Sequence, residues 1–86
     1  MKIELDLFGA FREFDQTSRI DVEIADGACV SDLRKAVHAY GQQHWPDFRP
    51  GLLSRSAFAS EVAILRDREL VPTSGRMVLL PPVSGG

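Results

Sequence analysis

Met77-Val78-Leu79-Leu80-Pro81-Pro82-Val83-Ser84-Gly85-Gly86 is the stretch that decides how this sequence folds. Its first four residues form a short continuous apolar run, the pattern of a strand buried on both faces, so the final strand is predicted to lie inside a sheet. Pro81 and Pro82 have fixed φ and no amide donor, so they end the ladder and stiffen the link that follows. The sequence then closes on two glycines. Glycine makes up about 7% of ordinary sequence, so such a pair arises by chance in roughly one chain in two hundred and carries little by itself. Its approach from a core strand gives it meaning: a carboxylate on a thin, side-chain-free tail can be threaded into another protein's active site.

Two earlier segments alternate with period two. Ile3, Leu5 and Leu7 point one way and Lys2, Glu4 and Asp6 the other; Ile20, Val22 and Ile24 oppose Arg19, Asp21 and Glu23 in the same manner. Both are predicted half-buried strands. Antiparallel pairing with Ile3 opposite Val22 sets Lys2 against Glu23 and Asp6 against Arg19, leaving Glu4 and Asp21 as one like-charge pair, whereas a slip of two residues creates two such pairs. The segment from Phe8 to Phe14 is too long for a tight turn, and its phenylalanines are expected to plug one end of the core.

After the Asp26-Gly27 turn, Leu33, Ala36, Val37 and Tyr40 fall at the spacing of an apolar helical stripe, with Asp32, Arg34, Lys35 and His38 outside it. Asp32 suits the helix N-terminus, either Cys29 or Ser31 caps it, and Gly41 is placed to end the helix in the left-handed conformation. Residues 42–60 are broken by Pro46 and Pro50-Gly51; Trp45, Phe48, Leu52, Leu53 and Phe58 are expected to tuck an irregular segment with a short helical turn against the core. Strands are then predicted over 62–65 and 69–71, with an Asp67-Arg68 turn between them and Thr73-Ser74-Gly75 turning into the last strand.

One helix on one face of a mixed sheet, with the most apolar strand arriving last, fits few topologies. Setting the last strand parallel to and beside the first gives an α+β, ubiquitin-like β-grasp fold of about five strands, with a β-grasp domain over 1–81 and a C-terminal tail over 82–86. The chain of 86 residues has room for one core, and its 44% apolar content is enough to fill it. Ten basic against twelve acidic side chains, with no block of like charge, argue against nucleic acid or a polybasic membrane patch as partner. A single cysteine excludes an internal disulfide, and Met1-Lys2-Ile3-Glu4 reads as strand rather than signal peptide, so a cytoplasmic location is expected.

Three stretches carry a family resemblance: Leu7-Phe8-Gly9-Ala10-Phe11-Arg12-Glu13, the run from Asp26 to Leu33, and above all Leu79 to Gly86. Together they resemble the ubiquitin-like sulfur carriers of the MoaD and ThiS group, most closely the MoaD type, the small subunits of molybdopterin synthase. Archaeal small modifiers of similar fold end in the same fashion. Two departures stand out: Asp67-Arg68 occupies a turn where the group often has asparagine-glycine, and Ser74-Gly75-Arg76 replaces its usual acidic residue near the turn before the last strand.

The resemblance implies a chemistry for Gly86. An α-carboxyl with a pKa of about 3.3–3.7 is an unreactive carboxylate at neutral pH and needs activation. In the group, a MoeB- or ThiF-like adenylating enzyme uses ATP to form an acyl-adenylate, and a sulfur donor displaces AMP to leave a C-terminal thiocarboxylate. The implied acceptor is a pterin precursor held by a MoaE-like large synthase subunit in molybdenum-cofactor synthesis. The alternatives are a thiamin, cysteine or thio-metabolite pathway, or conjugation to other proteins through Gly86. No bound cofactor and no catalytic set of its own are expected, ATP being used by the partner.

Around Gly86, the residues Pro81, Pro82, Val83, Ser84 and Gly85 form the inserted tail. For docking, either Met77 and Leu79 or Val78 and Leu80 face away from the helix; the expected patch is Met77 and Leu79 with Phe8 and Leu65, rimmed by Arg66, Arg68 and Arg76, unless residues 42–60 fold over it. Cys29 is expected to be structural, His38 exposed on the helix and His44 in a loop; one cysteine without ligand spacing predicts no metal site.

Overall fold

The computed structural model describes residues 1–82; Val83, Ser84, Gly85 and Gly86 lie outside the described residues. The chain runs through β1 (Lys2–Leu7), a 3-10 turn (Gly9–Glu13), β2 (Arg19–Glu23), α1 (Val30–His44), α2 (Pro50–Ser54), β3 (Ala57–Ala59), β4 (Ile64–Leu65) and β5 (Arg76–Leu80). The strands form one sheet in the order β2-β1-β5-β3-β4. β5 lies parallel to β1 and antiparallel to β3, the central position that its apolar run demands.

The β1–β2 register is the charge-favoured one. Ile3 faces Val22, Lys2 faces Glu23 and Asp6 faces Arg19. The remaining like-charge pair, Glu4 and Asp21, is flanked by cations: Arg19 Nη1 lies 3.1 Å from Glu4 and Lys2 Nζ 3.7 Å from Asp21. The inward residues Ile3, Leu5, Leu7, Ile20, Val22, Met77 and Leu79 meet Val30, Leu33 and Val37 of α1 in one core. Phe11 is fully buried and closes one end, while Phe8 stays partly in solvent.

Helix α1 is capped at Cys29, not Ser31. The Asp32 carboxylate accepts the Cys29 backbone N–H at 3.1 Å and its thiol at 3.3 Å, so the first turn closes on itself. The helix runs on through Gly41 to His44, where Gly41 was expected to end it. Gly41 is needed for a different reason. A Cβ there would lie 2.9 Å from the Phe48 ring, so the missing side chain lets Phe48 pack onto the helix.

The second half departs most from expectation. Ala57–Ala59 is a strand inside the segment read as irregular, and the predicted 62–65 strand shrinks to Ile64–Leu65. Ser60 explains the shift: its Oγ accepts the N–H groups of Val62 and Ala63 at 3.3 and 3.2 Å, and its own N–H donates to Ala63 O. Residues 60–63 are therefore a hairpin turn that leaves Val62 92% exposed. The predicted 69–71 strand is a single bridge between Leu70 and Cys29. Arg34 pins this region to α1. Its Nη1 donates to the carbonyls of Leu53 and Ser56 at 2.7 and 2.8 Å, its Nη2 meets Asp67 at 2.7 Å, and its guanidinium lies 5.1 Å over the Phe58 ring.

Candidate functional site: the end of β5 and the open face of the sheet

Strand β5 hydrogen-bonds on both sides and then reaches Pro81 and Pro82, the last described residues. Its alternation is set by burial: Met77 and Leu79 are 2% and 0% exposed, while Val78 and Leu80 are half-buried on the face away from α1. The expected docking pair is thereby corrected, because Met77 and Leu79 belong to the core. Leu65 is corrected likewise. It pairs with the fully buried Phe58 and packs against the core, whereas its neighbour Ile64 is 65% exposed on the open face.

The open face divides into two halves. Toward the β2 edge it carries Lys2, Glu4, Asp6, Arg19, Asp21 and Glu23, mostly acidic. Toward the β4 edge the rows read Val78, Ala59, Ile64 and Leu80, Ala57, small apolar neighbours that leave Val78 and Leu80 accessible. Phe8, 43% exposed, continues the outward parity of β1 and extends this apolar half to the end of β5 from which the chain leaves. Residues 42–56 do not cover it; Trp45 and Phe48 pack instead against Phe14 on the helix side. Arg76 sits opposite Glu4 on the same open face, at the start of β5. Arg66 and Arg68 are exposed in the turn after β4, where Glu69 accepts the Arg66 backbone N–H.

Parity was recoverable from one residue. A run of four apolar side chains carries no facing signal, but Arg76 cannot be buried unpaired, and counting by two from it puts Val78 and Leu80 outward.

The remaining candidates fall elsewhere. The Cys29 thiol lies 2.9 Å from Ser31 Oγ and 3.3 Å from the Asp32 carboxylate, contacts that belong to the start of α1. His38 is half-buried rather than exposed, its ring 5.6 Å from Phe48, and His44 lies in the last turn of α1 rather than a loop, 4.4 Å from the Tyr40 ring. Among the described residues no three His, Cys, Asp or Glu side chains gather as a metal site, and no helix is long and apolar enough to cross a membrane. Asp15 is a feature the sequence did not reveal. Burial opposes its ionisation, yet hydrogen bonds from the Thr17 hydroxyl, the Thr17 amide and Trp45 Nε1 outweigh it and hold the carboxyl below its usual value. It ties the loop before β2 to the end of α1. The expected tail residues Val83, Ser84, Gly85 and Gly86 lie outside the described residues.

A mixed five-stranded sheet with its first and last strands parallel at the centre, and one main helix across one face, is the ubiquitin-like β-grasp fold. The crystal structure of SAMP1 from Haloferax volcanii is similar over 100% of both chains, with a TM-score of 0.69 and 20% sequence identity. No family model and no curated protein matches the sequence. The likeness to SAMP1 is one of fold.

Proposed function

We propose that this chain is a ubiquitin-like sulfur carrier whose Gly86 carboxylate is adenylated and then converted to a thiocarboxylate. The observation that carries the reading is the exit of the chain. The most central strand of the sheet leads directly into Pro81-Pro82 and, in sequence, into Val-Ser-Gly-Gly. Ordering loose backbone costs about 1–2 kcal/mol per residue, and Pro81 and Pro82, with fixed φ, lower that cost over the link they occupy.

In the first step a Gly86 carboxylate oxygen attacks the α-phosphate of ATP in the partner enzyme and pyrophosphate leaves. Hydrosulfide, the simplest sulfur donor, then attacks the carbonyl carbon, AMP departs with the bonding pair, and loss of the S–H proton leaves the thiocarboxylate. Glycine at 85 and 86 lets a narrow channel and the incoming nucleophile approach that carbon without a Cβ in the way. The open apolar half of the sheet, with Phe8, Ile64, Val78 and Leu80, supplies the docking area beside the exit. Molybdopterin synthesis, with a MoaE-like acceptor subunit, is the pathway we favour; a thiamin, cysteine or thio-metabolite route uses the same two steps.

ATP–pyrophosphate exchange catalysed by a MoeB- or ThiF-like enzyme tests the activation step. The full chain is expected to support exchange, and the chain lacking Gly86 to support none while melting at the same temperature. Equal exchange by both chains contradicts the assignment of Gly86. Transfer of the chain onto lysines of other proteins would favour the modifier reading instead.

A further inference from the structure

β1 and β5 end side by side, Leu7 beside Leu79, and the Phe8 N–H reaches across to the Leu79 carbonyl at 3.3 Å. At the next residue β1 turns away through Gly9, whose φ is +57°. The ring of Pro81 lies directly on the space a side chain at Gly9 would fill. A Cβ there would be 2.6 Å from Pro81 Cγ and 3.4 Å from its Cδ, whereas Gly27, with a φ of +78°, has nothing within 4 Å. Backbone conformation alone therefore accounts for Gly27 but not for Gly9. At Gly9 the glycine serves a contact with the first residue after β5.

We propose that Gly9 is a positioning residue for the exit of the chain: its bare Cα seats Pro81 and so sets the point and direction at which the chain leaves the sheet. The inference rests on the carrier reading and deepens it. Pro81 has a fixed φ and is followed by another proline, so a shift at the seat is passed on along the link rather than absorbed by it. Productive attack by a carboxylate oxygen depends on placement to within about an ångström, and displacement by that much can cost about a hundredfold in rate. Gly9 touches neither ATP nor the reacting carbon, and acts through Pro81.

Gly9→Asn isolates the contact, because asparagine tolerates positive φ while adding a Cβ. Gly27→Asn is the matched control for backbone strain. In the exchange assay, Gly9→Asn is expected to lower kcat/KM about tenfold or more, with a melting temperature no lower than that of Gly27→Asn, which keeps wild-type kinetics. In a Pro81→Ala background, where the clashing Cγ is gone, Gly9→Asn is expected to cost much less. Wild-type kinetics for Gly9→Asn, a loss matched by Gly27→Asn, or a loss unrelieved by Pro81→Ala would each overturn the proposal. A second readout is independent of the enzyme: the nuclear Overhauser effect between Gly9 Hα and Pro81 Hγ. Its absence from the wild-type protein overturns the seat. If the wild-type chain is not activated at all while this signal is present, the carrier reading fails and the seat stands.

Discussion

Gly41 shows how a single missing side chain can be a packing requirement. Alanine is favoured over glycine in a helix interior by about 1 kcal/mol, but a Cβ at 41 would press 2.9 Å against a Phe48 ring already held by Trp45 and Phe14. Overpacking outweighs propensity, so Gly41→Ala is expected to destabilise the protein by about 1–3 kcal/mol in urea unfolding; a more stable variant would mean that Phe48 yields freely. Asp32 acts through charge. The Cys29 amide and then its thiol hydrogen-bond its carboxylate and hold the carboxyl below its usual value of 3.8. A depressed folded value stabilises above the unfolded pKa and is lost as pH falls through the folded one. Asp32→Asn is thus expected to flatten the fall in melting temperature below about pH 4, and superimposable acid limbs would contradict the cap. Residue pattern alone could not choose between Cys29 and Ser31, because serine is the better capping chemistry and the choice was made by the bridge from Cys29 to Leu70.

Among the elements, β1, β2, α1 and β5 were legible because each carries a long period or an unbroken apolar run. β3 was not: Ala57-Phe58-Ala59 is too short for a period and alanine is a poor strand former. Its place is set from outside, by pairing with β5 and by the Arg34 clamp on the chain just before it. Arg34→Met keeps an apolar side chain but removes the guanidinium over Phe58 and the side-chain donor to Ser56 O, and leaves Leu53 O with backbone donors only. The expected cost is about 1–3 kcal/mol, with hydrogen exchange speeding up first in β3 and β4. Uniform loss of protection across the sheet would show that the clamp is not local.

Across the whole molecule, one face of the sheet is packed into the core and the other is the face proposed for docking. Leu79→Ala empties a fully buried site of the central strand and is expected to cost about 2–5 kcal/mol. Ile64→Ser, on the open face, is expected to change stability by less than about 0.5 kcal/mol while weakening the complex with the adenylating enzyme in calorimetric titration. Unchanged affinity would remove that half of the sheet from the docking surface. The β-grasp fold, the parallel pairing of first and last strands and the β1–β2 register were readable from the sequence; the outward face of β5 was misread because four apolar residues in a row point nowhere, although Arg76 marks their parity. The most direct test of the carrier reading is the intact mass of the full chain after incubation with ATP, the adenylating enzyme and a sulfur donor. Carrier chemistry gives a gain equal to exchange of one oxygen for sulfur, located at Gly86 by fragmentation. An unchanged mass, under conditions in which a known carrier is converted, would contradict it.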